Sequence, residues 1–196
     1  TKDKPFPEMM SAFVARTKDK RALLNKIKGR IDYAKSFPDL YARVTSFHRA
    51  LSTIQHISDV ITTNWDDFFE TECAALPIVT DDDFAYWDQP FRKVFKIHGS
   101  INSPGLITAT DKDYTQRYRE FGTTVLGGHM KQLLATKTII FCGYSLTDYD
   151  FNRVYTYLKK NMGDILPHAY FVSLGMPEKS IEETIAPTVI RTDATF

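Results

Sequence analysis

Asp59-Val60-Ile61-Thr62-Thr63-Asn64-Trp65-Asp66-Asp67-Phe68-Phe69-Glu70 reads as a short apolar strand that ends in a polar corner and passes at once into a helix. Asn64 and Asp66 sit at the turn, where a side-chain carbonyl or carboxylate can cap the new helix or face a ligand. Two later stretches repeat the pattern. Val94-Phe95-Lys96-Ile97 runs into His98-Gly99-Ser100, and Thr138-Ile139-Ile140-Phe141-Cys142 runs into Gly143-Tyr144-Ser145-Leu146. In open α/β sheets ligands bind in the crevice beyond the carboxyl ends of the strands. The expectation is therefore that these three corners form one site.

Outward from that stretch, apolar spacing predicts helices over 6–16, 21–33 and, opened by Pro38, 39–57, which makes the first third helical. His48 and His56 fall near polar or edge positions there and read as surface or capping histidines. Strands are expected at 60–62, 77–79, 94–97, 106–108, 139–142, 168–174 and 189–191, with helices at 67–75, 110–121, 124–134, 148–160 and 178–185. Gly127-Gly128 lacks the strand-before, helix-after setting of a phosphate loop and reads as a helix irregularity. The Ile139–Cys142 strand, the most apolar, is expected to be central and buried on both faces. Alternating helices and short strands give an α/β, doubly wound parallel sheet with a helical inserted or N-terminal module. Residues 1–57 read as the helical segment and 58–196 as the core of a single domain.

Composition bounds the function. Hydrophobic residues at 43% and charged residues at 25% fit a globular domain, and the net charge of +1 gives no broad nucleic-acid surface. The two cysteines, Cys73 and Cys142, form no CxxC pair, so neither a disulfide framework nor a cysteine-rich zinc site is expected. Free thiols suit a reducing compartment, hence a cytoplasmic setting, and no apolar run approaches the roughly 20 residues of a membrane span. The consecutive Asp81, Asp82 and Asp83 cannot easily converge on one cation and read as a solvated loop.

Taken singly, each corner has a plain structural explanation. Asn64 and Asp66 could only cap a helix, His98 could be a turn histidine, and Gly143 and Ser145 could be a tight strand-to-helix connection. Asp148 and Asp150 are best read as helix capping. Their joint placement shifts the balance: an amide, a carboxylate, an imidazole and a glycine–serine corner, each just past a strand.

Thr62-Thr63-Asn64-Trp65-Asp66, Lys96-Ile97-His98-Gly99-Ser100 and Gly143-Tyr144-Ser145-Leu146-Thr147-Asp148 resemble, in this order, the signature blocks of the sirtuin superfamily. They look closest to its bacterial sirtuin-like branch, whose members serve as NAD-consuming effector domains in anti-phage defence. The resemblance implies a Rossmann-like fold with NAD as the substrate. It implies that Asn64 and Asp66 contact the nicotinamide ribose, with Thr63 beside them, that His98 is the general base, and that Gly143 and Ser145 line the NAD site. Ser173 is implied as the adenosine-ribose contact. It also implies homo-oligomers and further domains or subunits of a defence complex. The two CxxC pairs of protein-deacylating sirtuins are missing, so no zinc is expected and cleavage of NAD by water is favoured. The family's glycine-rich phosphate loop is also missing, and the expectation is that it and the first strand precede Thr1.

The residue types suit that chemistry. A nicotinamide glycosidic bond breaks through an oxocarbenium-like state and nicotinamide leaves neutral, so no general acid is needed at the leaving nitrogen. A held ribose, a polar group near the anomeric carbon and a base for water are needed, and Asn64, Asp66 and His98 supply them. Imidazole is a base available near neutral pH. The leading expectation is an NAD glycohydrolase. A silent NAD- or ADP-ribose-sensing module and an NAD-dependent protein deacylase are the alternatives.

Overall fold

A computed structural model describes residues 4–144, 149–173, 185 and 187–192. The chain divides into two compact units, Thr1–Leu126 and Gly127–Phe196. Each holds parallel strands flanked by helices, which makes the fold α/β and Rossmann-like.

The first unit opens with α1 (Phe6–Thr17) and α2 (Lys20–Ser36). Pro5 starts α1 without a side-chain cap, whereas Asp19 caps α2 by accepting from the Arg21 amide. Their apolar stripes, Met10, Phe13, Val14, Leu24, Ile27 and Ile31, pack with buried Leu23 against Ile101, Ile107 and Ala109. The helical segment thus lies on the loop that follows His98.

The single helix expected over 39–57 is two, α3 (Pro38–Val44) and α4 (Ser46–Ser52), bent at Thr45. Thr45 is fully buried at φ −99°, ψ 4°, and its hydroxyl donates to the Tyr41 carbonyl at 2.8 Å. A β-branched residue bonding back to the preceding turn in this way bends a helix. The bend turns His48 inward, against the expected surface position. It is 8% exposed, with its ring edge-on to Phe68 and Phe69.

Strands β1 (Asp59–Thr62), β2 (Leu76–Ile78) and β3 (Lys93–Lys96) form a parallel sheet in the order β1-β3-β2. The central β3 is buried throughout, with Val94 and Phe95 at 0% exposure, each contributing roughly 1.5–3 kcal/mol by burial. Helix α5 (Phe68–Cys73) joins β1 to β2, and α6 (Asp111–Phe121) follows β3.

Two loops differ from expectation. Asp81–Tyr86 is a 3-10 turn, closed by a capping box between Thr80 and Asp83. Asp81 meanwhile accepts from the Val125 and Leu126 amides that start α7 (Val125–Thr136), at 3.0 Å each. Two of the three carboxylates, Asp81 and Asp83, thus cap backbone amides, while Asp82 is exposed, as a solvated loop would have it. Residues 106–108 form no strand. Pro104–Leu106 is a 3-10 turn, and the Thr108 amide donates to the His98 carbonyl at 2.9 Å.

The second unit carries β4 (Ile139–Cys142), α8 (Tyr149–Met162), β5 (Ala169–Ser173) and β6 (Thr188–Arg191), with parallel strands in the order β4-β5-β6. The central strand is β5, with Ala169 and Phe171 buried. Strand β4, expected to be central, pairs with β5 alone among the described residues, and Ile140 is 52% exposed. Its apolar run packs on one face, where Phe141 meets Phe151 edge-on at 5.3 Å.

Candidate functional site

The register of β1 against β3 builds the first part of the site. Thr62 pairs with Lys96, and the Ile97 amide donates to the Thr62 carbonyl at 3.1 Å. Asn64 and His98 therefore lie two residues beyond one paired position, on adjacent parallel strands at the same end of the sheet. Thr63 is half-buried and Asn64 exposed, with the Asn64 amide donating to the Thr62 hydroxyl at 3.1 Å. Asp66 is half-buried and accepts from the Phe68 amide at 3.2 Å, so it caps the start of α5 while standing beside Asn64.

His98 is 4% exposed. Its ring meets Tyr114 of α6 edge-on at 4.8 Å between centroids, with Tyr114 Oη 3.4 Å from Nδ1. Gly99 follows at φ 88°, a conformation that side chains other than glycine rarely adopt. It turns the chain back so that Thr108 can reach the His98 carbonyl.

Residues absent from the sequence-level picture hold the two corners together. Lys96 is 0% exposed, and its ammonium donates to the Asp66 carbonyl and, at 2.8 Å, to Glu70 Oε1. A buried ammonium is tolerable only when paired and hydrogen-bonded, and here both conditions are met by the Asn64 corner and its helix. The Ile101 amide donates to the Trp65 carbonyl at 2.7 Å. Arg117 of α6 donates to the Ile97 carbonyl at 2.8 Å and to the Val79 carbonyl at 3.2 Å, tying the ends of β3 and β2. The signal available in the sequence was a lysine inside an apolar strand, a position that demands a partner.

Asp67 is buried and pairs with Lys35 of α2 at 2.5 Å. Burial alone would raise its carboxyl, but the Lys35 ammonium, its own amide and the Asn102 side chain hold it below the usual aspartate range. The charged pair thus contributes stability above that range and loses it as pH falls through the lowered value. Lys35→Met is expected to destabilise the protein at pH 7, by a margin that narrows on acidification. Equal margins at pH 7 and pH 3 in denaturant titrations would contradict this. For His48, burial lowers the imidazole, opposed by the Asp66 and Glu72 charges.

Gly143 belongs to the second unit, at the carboxyl end of β4. It has φ 60°, and nothing lies within 4 Å of where a Cβ would stand, so backbone conformation alone favours glycine there. Ser145 and Asp148 lie outside the described residues, and Ser173 closes β5. The structure thus brings the backbone positions of Thr63, Asn64, Asp66 and His98 to one end of the first unit's sheet. Among the described residues no group of three His, Cys, Asp or Glu side chains is placed to hold a metal ion, and no helix is long and apolar enough to cross a membrane.

Comparison with known proteins places this geometry in a family. The chain is 26% identical over 123 residues to Defense-associated sirtuin 2 of Bacillus subtilis, an alignment that covers 58% of this chain and 12% of that protein. It therefore spans only a small part of the relative's length. Residues 58–189, from the start of β1 into β6, match the SIR2-like domain, and this range carries all three signature corners. The chain belongs to the SIR2-like domain family.

Proposed function

We propose that this protein is an NAD glycohydrolase, which cleaves the nicotinamide–ribose bond to give nicotinamide and ADP-ribose. The observation that supports the reading most is the β1–β3 register, which sets the Asn64 and His98 corners side by side. Asn64, exposed at the corner, is assigned to the nicotinamide ribose together with Thr63 and Asp66. His98 is assigned as the base. The bond from the anomeric carbon to nicotinamide breaks, and its electron pair neutralises the pyridinium nitrogen. Water forms the new carbon–oxygen bond and gives its proton to the imidazole. By the resemblance of the third block, Gly143 and Ser145 are also assigned to NAD binding.

The relative's name supports a role in defence. The proposal extends this, on the resemblance of the signature blocks, to depletion of NAD in anti-phage defence, in the cytoplasm, within a homo-oligomeric assembly that includes further domains or subunits. A second reading, an NAD- or ADP-ribose-sensing module, draws support from the low exposure of His98, since a base must reach water. Incubation with NAD separates the two. The hydrolase reading expects free nicotinamide and ADP-ribose to accumulate with time, whereas binding without nicotinamide release would overturn it in favour of sensing.

A further inference from the structure

His98 is held at its backbone and at its ring. Its own carbonyl accepts from the Thr108 amide, and the preceding carbonyl, of Ile97, accepts from Arg117. Tyr114 stands one helical turn before Arg117, on the same face of α6, and presents its ring and hydroxyl to the imidazole. Helix α6 is fixed in turn. Thr110 and Asp113 form a capping box at its start, and Lys20 of α2 pairs with Asp113 at 2.6 Å. The helix that carries Tyr114 is therefore anchored at its first turn and, through Arg117, at the ends of two strands.

A base that takes a proton from water must present a bare ring nitrogen, and the bond made by the other nitrogen sets which one that is. The geometry points to Tyr114 as a positioning residue that fixes the His98 tautomer, an inference that rests on the NAD cleavage proposed above. The Nδ1 proton is donated to Tyr114 Oη, which leaves Nε2 to accept the proton from water. The separation of 3.4 Å is long, and catalytic hydrogen bonds of this kind tighten when substrate is bound. The edge-on ring contact fixes the plane of the imidazole, and the hydroxyl selects the nitrogen.

The test compares Tyr114→Phe and Tyr114→Leu with the parent protein by thermal melting, nicotinamide release kinetics and long-range proton–nitrogen NMR of the His98 imidazole. In the parent protein the proton is expected on Nδ1. Tyr114→Phe keeps the ring, so it should melt like the parent, show a mixed tautomer population, and lose about tenfold in kcat at unchanged KM, the scale of one hydrogen bond. Tyr114→Leu should lose at least as much and melt lower. A parent tautomer with the proton on Nε2, a Tyr114→Phe spectrum identical to the parent's, or an altered spectrum with parental kcat would each overturn the assignment. If the parent releases no nicotinamide, the hydrolase reading fails, and the ring spectra alone decide what Tyr114 does.

Discussion

His98→Ala is expected to lower NAD cleavage by about 10²–10⁴-fold, the usual contribution of a positioned general base. The substitution removes the ring that meets Tyr114 and leaves a gap at a position only 4% exposed. Some loss of stability therefore accompanies the loss of rate, and melting curves are needed to tell one from the other. The backbone at this position is held independently of the side chain, by the Thr108 amide on the His98 carbonyl and by Arg117 on the Ile97 carbonyl. The fold should survive, with the rate measured well below the melting point. The reading predicts a fall in kcat with little change in KM, because the ribose is assigned to the Asn64 corner. Undiminished NAD loss in a folded His98→Ala protein would remove the imidazole from the mechanism.

The second large effect concerns Gly99. A Cβ built there would stand 2.3 Å from the Leu106 carbonyl oxygen and 2.7 Å from its carbon, and the residue sits at φ 88°. The obstruction is backbone, so no side chain can rotate out of the way. Left-handed conformation costs roughly 1–2 kcal/mol for an L-residue and overpacking about 1–3 kcal/mol more, so Gly99→Ala should cost about 2–5 kcal/mol. Relief by movement of the 99–107 loop would disturb the bond from Thr108 to His98, so activity should fall as well. Gly105→Ala in the same loop is the control, since nothing lies within 4 Å of a Cβ there. Denaturant unfolding of the two variants decides the matter, and equal stability would contradict the steric argument.

Much of the architecture was legible because strand and helix periods are written plainly into it. The Asp59–Thr62 strand, the Asp111–Phe121 helix and its Thr110 cap follow directly from apolar spacing and capping residues. What escaped was set by tertiary contact. The bend at Thr45 depends on a hydroxyl turning back to Tyr41, a choice that periodicity does not record. Strand β4 looked central because it is apolar, yet Phe141 is its buried residue and Ile140 is open. At the site, the corners could be named from residue type and position after a strand. The ties between them could not, because the partners of Lys96 and Arg117 lie 20 to 38 residues away in sequence.

The ammonium of Lys96 has its counter-charge on Glu70, 26 residues nearer the amino terminus. During synthesis the asparagine corner therefore emerges from the ribosome well before the cation that gives it shape. A polypeptide ended before Lys96 carries Glu70 without its counter-charge, so the asparagine corner waits on the third strand for its shape.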